Sequence, residues 1–355
     1  MITKDEFVAQ LERNATNLAD LPVTSAIFRY LVAELKKGNP PWWQKTLKAW
    51  EGRRFVQWSE AANLFLTCIH FEALDDAENP LVHFFPSCGG TAEADPSPAL
   101  AKFLKDPPAS FYEHLKGGER RYYSAGAGSL WRTAASLSFQ PRGLPYYLVE
   151  VNAGAGLSLL ADVLIPDANF RPELVEARIG FDSAPLLVDD IGQLRWLTAA
   201  IFPDQAPVIK SLDRAITALR QSRGRDDSIV QLVKCETSLA PKYIAKNIPA
   251  DDEEVGLLVY NYMTTSKMPD ADYQAFYGEM LAMLKPWGDR GLWLEVENVR
   301  GETFSTTLQF RLHRVVDGVL ATHEMGRADF GAKKDVLDKE GSLKFLFPPK
   351  PAAKK

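Results

Sequence analysis

Tyr146-Tyr147-Leu148-Val149-Glu150-Val151-Asn152-Ala153-Gly154-Ala155-Gly156 is the stretch that decides the fold. Its first six residues are a short apolar, β-rich run, the pattern of a strand buried on both faces. Leu157-Ser158-Leu159-Leu160-Ala161-Asp162-Val163-Leu164 then reads as a helix. Between them lies a turn on which three physical demands meet. A tight corner needs a residue that tolerates positive φ, a ligand approaching the backbone needs the Cβ gone, and a helix start offers free N–H groups. Gly154 and Gly156 meet the second and third demands. Asn152 stands at the corner, and Asn enters the left-handed region more readily than most residues.

Downstream the alternation continues. Strand candidates are Glu176 to Phe181 ending at Asp182, Ser228 to Lys234 followed by Cys235-Glu236, Val255 to Tyr260, and Gly291 to Val296. Helical stretches fall at about 190–222, 238–246 and 270–284. Strand and helix in this alternation predict a doubly wound, mostly parallel α/β sheet. Phe304 to Leu312 and Val319 to Thr322 break the pattern, and Asp317-Gly318 between them is a hairpin signal, so the sheet should close with an antiparallel pair. From Lys333 the chain is a charged tail, and its end, Phe347 to Lys355, reads as loose.

Upstream of residue 140 the periodicity is helical. Thr3-Lys4-Asp5-Glu6 fits a capping box, followed by Phe7, Leu11, Ala15 and Leu18 on one face. Thr24 or Ser25 can cap a second helix carrying Ile27, Phe28, Leu31 and Leu35. Trp58 to Leu74 is apolar almost all round, as a buried central helix should be. Trp42, Trp43, Trp50 and Trp58 supply large apolar area for a core. The expected organisation is a helical domain over 1–140, an α/β domain over 141–332 and a tail over 333–355.

Composition bounds the function. Of 355 residues, 46% are hydrophobic and 25% charged, which excludes a disordered or disulfide-stapled chain. A net charge of −5 gives no footprint for nucleic acid. Three scattered cysteines, an N-terminus without an apolar signal region and the lack of any long apolar run point to a soluble cytoplasmic protein. Five histidines show no metal-ligand spacing, and neither a nucleophile elbow nor a Walker-type loop occurs.

The chemistry therefore rests on strand ends. Glu150 can accept a hydrogen bond from an amino group or hydroxyl, Asp182 and Glu236 end the second and third strands, and Asn261 ends the fourth. In open α/β sheets such carboxyl ends line the ligand crevice. Arg178, Arg195 and Arg327 fit ion pairing better than anion binding.

The glycine turn with an acid on its strand, together with the closing hairpin, resembles the class I S-adenosylmethionine-dependent methyltransferases over about residues 145–325. That resemblance implies S-adenosylmethionine as cofactor. Glu150 would lie near its methionine end, Asp182 on the ribose hydroxyls and Glu236 on the adenine amino group. The sequence departs from the family pattern at Asn152, which replaces the first glycine, and at Asp182, which comes late; Pro166 and Pro172 mark an inserted loop. Leu148 to Leu159, Arg178-Ile179-Gly180-Phe181-Asp182, Arg195-Trp196-Leu197, Ile201-Phe202-Pro203-Asp204 and Gly326-Arg327-Ala328-Asp329 are similar to an uncharacterised bacterial family, domain-of-unknown-function family 2332. The expectation is a transferase acting on a small molecule, with Asn261 touching substrate and the helical part covering the substrate side. An NAD(P)-dependent oxidoreductase and a non-catalytic nucleotide sensor or scaffold remain as alternatives.

Overall fold

A computed structural model describes residues 2–55, 59–91, 93, 95–120, 125–165, 167–223, 229–300, 307–329 and 332–348. In chain order the helices are α1 (Lys4–Asn17), α2 (Pro22–Lys37), α3 (Pro41–Ala49), α4 (Glu60–Asp75), α5 (Ser97–Lys105), α6 (Ala109–Gly117), α7 (Ala125–Ser138), α8 (Ala161–Leu164), α9 (Ile191–Ala199), α10 (Ala206–Arg223), α11 (Ala240–Asn247), α12 (Asp270–Leu284) and α13 (Lys339–Leu346). The strands are β1 (Tyr146–Val151), β2 (Val175–Asp182), β3 (Gln231–Lys234), β4 (Gly256–Tyr262), β5 (Gly291–Asn298), β6 (Thr307–Val316), β7 (Val319–Asp329) and β8 (Ala332–Leu337). Two compact units result. Met1–Tyr123 joins Leu187–Asp213 in one, and Ser124–Leu186 joins Arg214–Lys355 in the other.

The first unit is helical. The capping box of α1 is formed: Glu6 N donates to Thr3 Oγ1 at 3.2 Å, and Thr3 N donates to Glu6 Oε2 at 2.7 Å. Phe7, Leu11 and Ala15 are buried from its inner face. The start of α2 differs from expectation. Pro22 opens the helix, and the Asp204 carboxylate accepts from Val23 N and Thr24 N, both at 2.9 Å. A cap borrowed from 180 residues away replaces the local one. α4 is buried nearly all round. Trp42, Trp43 and Trp50 are core residues, with Phe7 stacked on Trp43 at a centroid distance of 5.0 Å. Trp58 lies outside the described residues.

The second unit is built on a sheet of order β3-β2-β1-β4-β5-β6-β7-β8. The first five are parallel, and β6, β7 and β8 are each antiparallel to the preceding strand. Val149 and Val151 of β1 pack with Ile244 of α11 and Phe276 and Met280 of α12. On the opposite face Tyr146 stacks on Phe139, just past α7, at 4.6 Å. Side chains alternate across a strand, so helices on both faces account for the unbroken apolar run.

Three expectations are corrected here. The single helical stretch at 190–222 is two helices, α9 and α10, separated around Pro203. The closing pair is three strands. β6 and β7 form the expected antiparallel pair beside β5, and β8 adds a third strand beyond β7. The Asp317-Gly318 turn itself is as read, with φ of 51° and 79° at its two central residues. Residues 304–306 lie outside the described residues. The segment read as a charged tail carries β8 and α13, because β8 pairs with Gly326–Asp329 of β7 and Ser342 and Leu346 are buried. Residues 349–355 lie outside the described residues.

Candidate functional site

β1 lies between β2 and β4, at the point where the strand order reverses. Crossovers leave in opposite directions there, so a crevice opens beyond the carboxyl ends of the strands. The turn Asn152–Gly156 occupies that position. Its conformation is left-handed at three residues: φ is 66° at Asn152, 58° at Gly154 and 72° at Gly156. The Phe181 carbonyl accepts from Asn152 N at 2.8 Å and from Ala153 N at 3.0 Å, which ties the turn to the end of β2.

The two glycines have different surroundings. A Cβ on Gly156 would stand 2.8 Å from Val230 Cγ1 and 3.0 Å from Leu232 Cδ2, so this glycine lets the turn pack against β3. Among the described residues, a Cβ on Gly154 would meet only Leu186 Cδ1, at 4.0 Å. The segment after the turn is not the helix expected over 157–164. It is one 3₁₀ turn, Leu157–Leu160, followed by the single turn of α8. The Arg132 guanidinium donates to the Ile165 and Ala161 carbonyls at 2.5 and 3.3 Å, closing off the short helix.

Two carboxylates flank the turn. Glu150 points to the side opposite Val149 and Val151, is 5% exposed, and accepts from Ser158 Oγ. Burial pushes its carboxyl up to about 8; the Ser158 hydroxyl works against that shift and nearby Asp182 adds to it. Asp182 is 1% exposed and clamps the corner, since Oδ2 accepts from Gly154 N and Oδ1 from Ala184 N, each at 2.8 Å. Its carbonyl accepts from Cys235 N at 2.8 Å. That bond fixes Cys235 against the end of β2, and Glu236, which is exposed, follows it two residues beyond the end of β3. The turn, Glu150, Asp182 and Glu236 thus gather at one sheet end.

Asn261 also lies at that end, opposite Val151, but it is fully buried. Its Nδ2 donates to Glu297 Oε1 at 2.6 Å and its Oδ1 accepts from Trp293 Nε1 at 2.5 Å. Both ends of its amide therefore hold the neighbouring strand, β5. Around it is a polar network that the sequence reading missed. Glu297 also accepts from the backbone N–H groups of Thr264, Thr265 and Ser266 at 2.6, 2.8 and 3.0 Å. Burial, followed by Glu295, raises the Glu297 carboxyl above its ordinary range, while these N–H donors pull it back. Glu295 behaves oppositely. Burial opposes ionisation, yet the His313 hydrogen bond and the Arg311 guanidinium hold it below the ordinary range. A readable signal existed: Trp293-Leu294-Glu295-Val296-Glu297 places acids at alternate positions of an otherwise apolar strand.

The arginines of the sequence blocks are in ion pairs: Arg178 with Asp162, Arg195 with Asp75 and Arg327 with Glu324. Among the described residues, no His, Cys, Asp and Glu side chains gather in threes to hold a metal ion. No helix among them is long and apolar enough to cross a membrane.

A search of curated proteins finds no match. Residues 163–333 match a family model described as "Uncharacterized protein conserved in bacteria (DUF2332)". The match spans just under half of the chain. It takes in Asp182, Glu236, Asn261 and the Glu295–Glu297 network and begins after the glycine turn, so this part of the chain is similar to that bacterial family.

Proposed function

We propose that the turn after β1 binds S-adenosylmethionine and that the chain is a methyltransferase-like enzyme acting on a small molecule. One observation carries this reading: the Gly154 N–H, the group that would cradle a phosphate, donates to the Asp182 carboxylate. A pyrophosphate seated there would face the Asp182 carboxylate at close range, and like charges at such separations repel strongly. The short 3₁₀ turn that follows also lacks the multi-turn helix whose N-terminus favours a dinucleotide phosphate. S-adenosylmethionine brings no phosphate. It brings a sulfonium, an ammonium and ribose hydroxyls, all of which suit acceptors.

In this reading Asp182, at the end of β2, meets the ribose, whose hydroxyls suit a carboxylate acceptor. Glu150 takes the ammonium or a hydroxyl, and Glu236 reaches the adenine amino group. Asn152 and Gly154 supply the uncovered backbone on which the ligand lies. Asn261 holds the ends of β4 and β5 in place instead of meeting substrate. Methyl transfer by direct displacement depends on alignment and exclusion of water more than on a strong acid or base.

The test is Gly154→Asn, with S-adenosylhomocysteine binding measured by equilibrium dialysis. Asn tolerates the φ of 58° and adds a side chain on the open side of the turn. Binding should fall by at least tenfold while the melting temperature changes little. Unchanged affinity would overturn the assignment of ligand to this turn.

A further inference from the structure

The antiparallel half of the sheet carries a second alignment of side chains, independent of the cofactor reading. His313 in β6 lies opposite Trp293 in β5 and opposite Thr322 in β7. The Trp293 and His313 rings stack with centroids 4.2 Å apart. Glu295 Oε2 lies 3.2 Å from His313 Nε2 and 2.8 Å from Arg311 Nη2. On the other side of the ring, His313 Nδ1 lies 2.8 Å from Thr322 Oγ1. Glu295 and His313 are 0% and 1% exposed, whereas Thr322 is exposed.

The protons follow from these partners. Arg311 favours the ionised Glu295, and a carboxylate only accepts, so Nε2 of His313 carries the hydrogen. Nδ1 is then left as an acceptor, and Thr322 Oγ–H donates to it. Burial keeps His313 below its ordinary range despite Glu295, so the ring is a neutral base at neutral pH. A hydroxyl on an imidazole whose far nitrogen is pinned by a carboxylate is the arrangement that activates nucleophilic serines and threonines, recognisable by geometry and not by chain order.

We propose that Thr322, His313 and Glu295 form a nucleophile–base–carboxylate site that accepts an acyl group from an activated ester or thioester. Thr322 Oγ1 attacks the carbonyl carbon, its proton passes to His313 Nδ1, and the new C–O bond forms as the alkoxide or thiolate leaves and takes that proton. Glu295 stabilises the imidazolium formed in between. The Tyr277 hydroxyl donates to the Leu320 carbonyl at 3.5 Å and lies 3.4 Å from Thr322 Oγ1, so turning from that long bond would bring its proton to the oxyanion created by addition.

The probe is p-nitrophenyl acetate with the full-length chain, read by peptide mass mapping and by the burst of p-nitrophenolate. Thr322 should be acetylated about 100-fold faster than any other hydroxyl in the chain, the scale of a positioned base. Thr322→Val, at an exposed position, should abolish the modification without lowering the melting temperature, and Thr322→Ser should keep it. His313→Gln should also abolish it; should that variant not fold, the two Thr322 variants decide alone. An unmodified Thr322 in the wild type, or a burst unchanged in Thr322→Val, would overturn the proposal.

Discussion

Glu150→Gln offers the sharpest test of the electrostatics around the glycine turn. The Glu150 carboxyl is pushed from the ordinary 4.5 to about 8 by burial. At neutral pH the native chain therefore holds a proton there that the unfolded chain has released. Stability falls with rising pH wherever the native state binds more protons than the unfolded state. The contribution of this group is intact below about pH 4.5, declines as pH rises and is lost above the native value near 8. At 1.36 kcal/mol per unit, the whole loss is on the order of 5 kcal/mol. Glutamine has the shape of the protonated acid and can still accept from Ser158 Oγ, so the variant should match the wild type within about 1 kcal/mol near pH 5. It should then overtake it steadily, by several kcal/mol near pH 8. Urea unfolding of both chains across that pH range measures the difference. Parallel stability profiles would show that Glu150 ionises normally in the folded state and would refute the reasoning.

Two further outcomes follow from the same strand ends. Gly156→Ala combines left-handed strain with contacts of 2.8 and 3.0 Å to Val230 and Leu232, so it should lose about 2–4 kcal/mol in urea unfolding; Gly154→Ala, with open space around it, should lose only the strain, about 1–2 kcal/mol. Glu297→Gln leaves the Ser266 N–H facing an amide nitrogen and removes charge from three other hydrogen bonds, so calorimetric melting should show a loss of about 1–3 kcal/mol.

Local signals were legible wherever local physics decides. The box at Thr3 and Glu6, the all-round apolar α4, the β1 run and the Asp317-Gly318 turn each form from neighbours in sequence. The parallel sheet followed from alternation of element types. What stayed hidden was set by partners far along the chain. The N-terminus of α2 is capped by Asp204, so Thr24 and Ser25 misled. The short 3₁₀ turn after Gly156 could not be told from a helix by its apolar residues alone. Asp182 was visible as a strand end, but its bond to Gly154 N needed the pairing of β1 with β2. Glu295, His313 and Thr322 come together only through the register of three antiparallel strands. Asn261 was correctly placed at a strand end, yet nothing local showed that both its amide atoms are taken by β5.

Titration calorimetry of the full-length chain with S-adenosylhomocysteine and with NAD, under identical conditions, tests the central claim most directly. The acceptor-lined turn predicts saturable one-to-one binding of S-adenosylhomocysteine and weaker or undetectable binding of NAD. Tighter binding of NAD, or no heat from either at millimolar ligand, would contradict it.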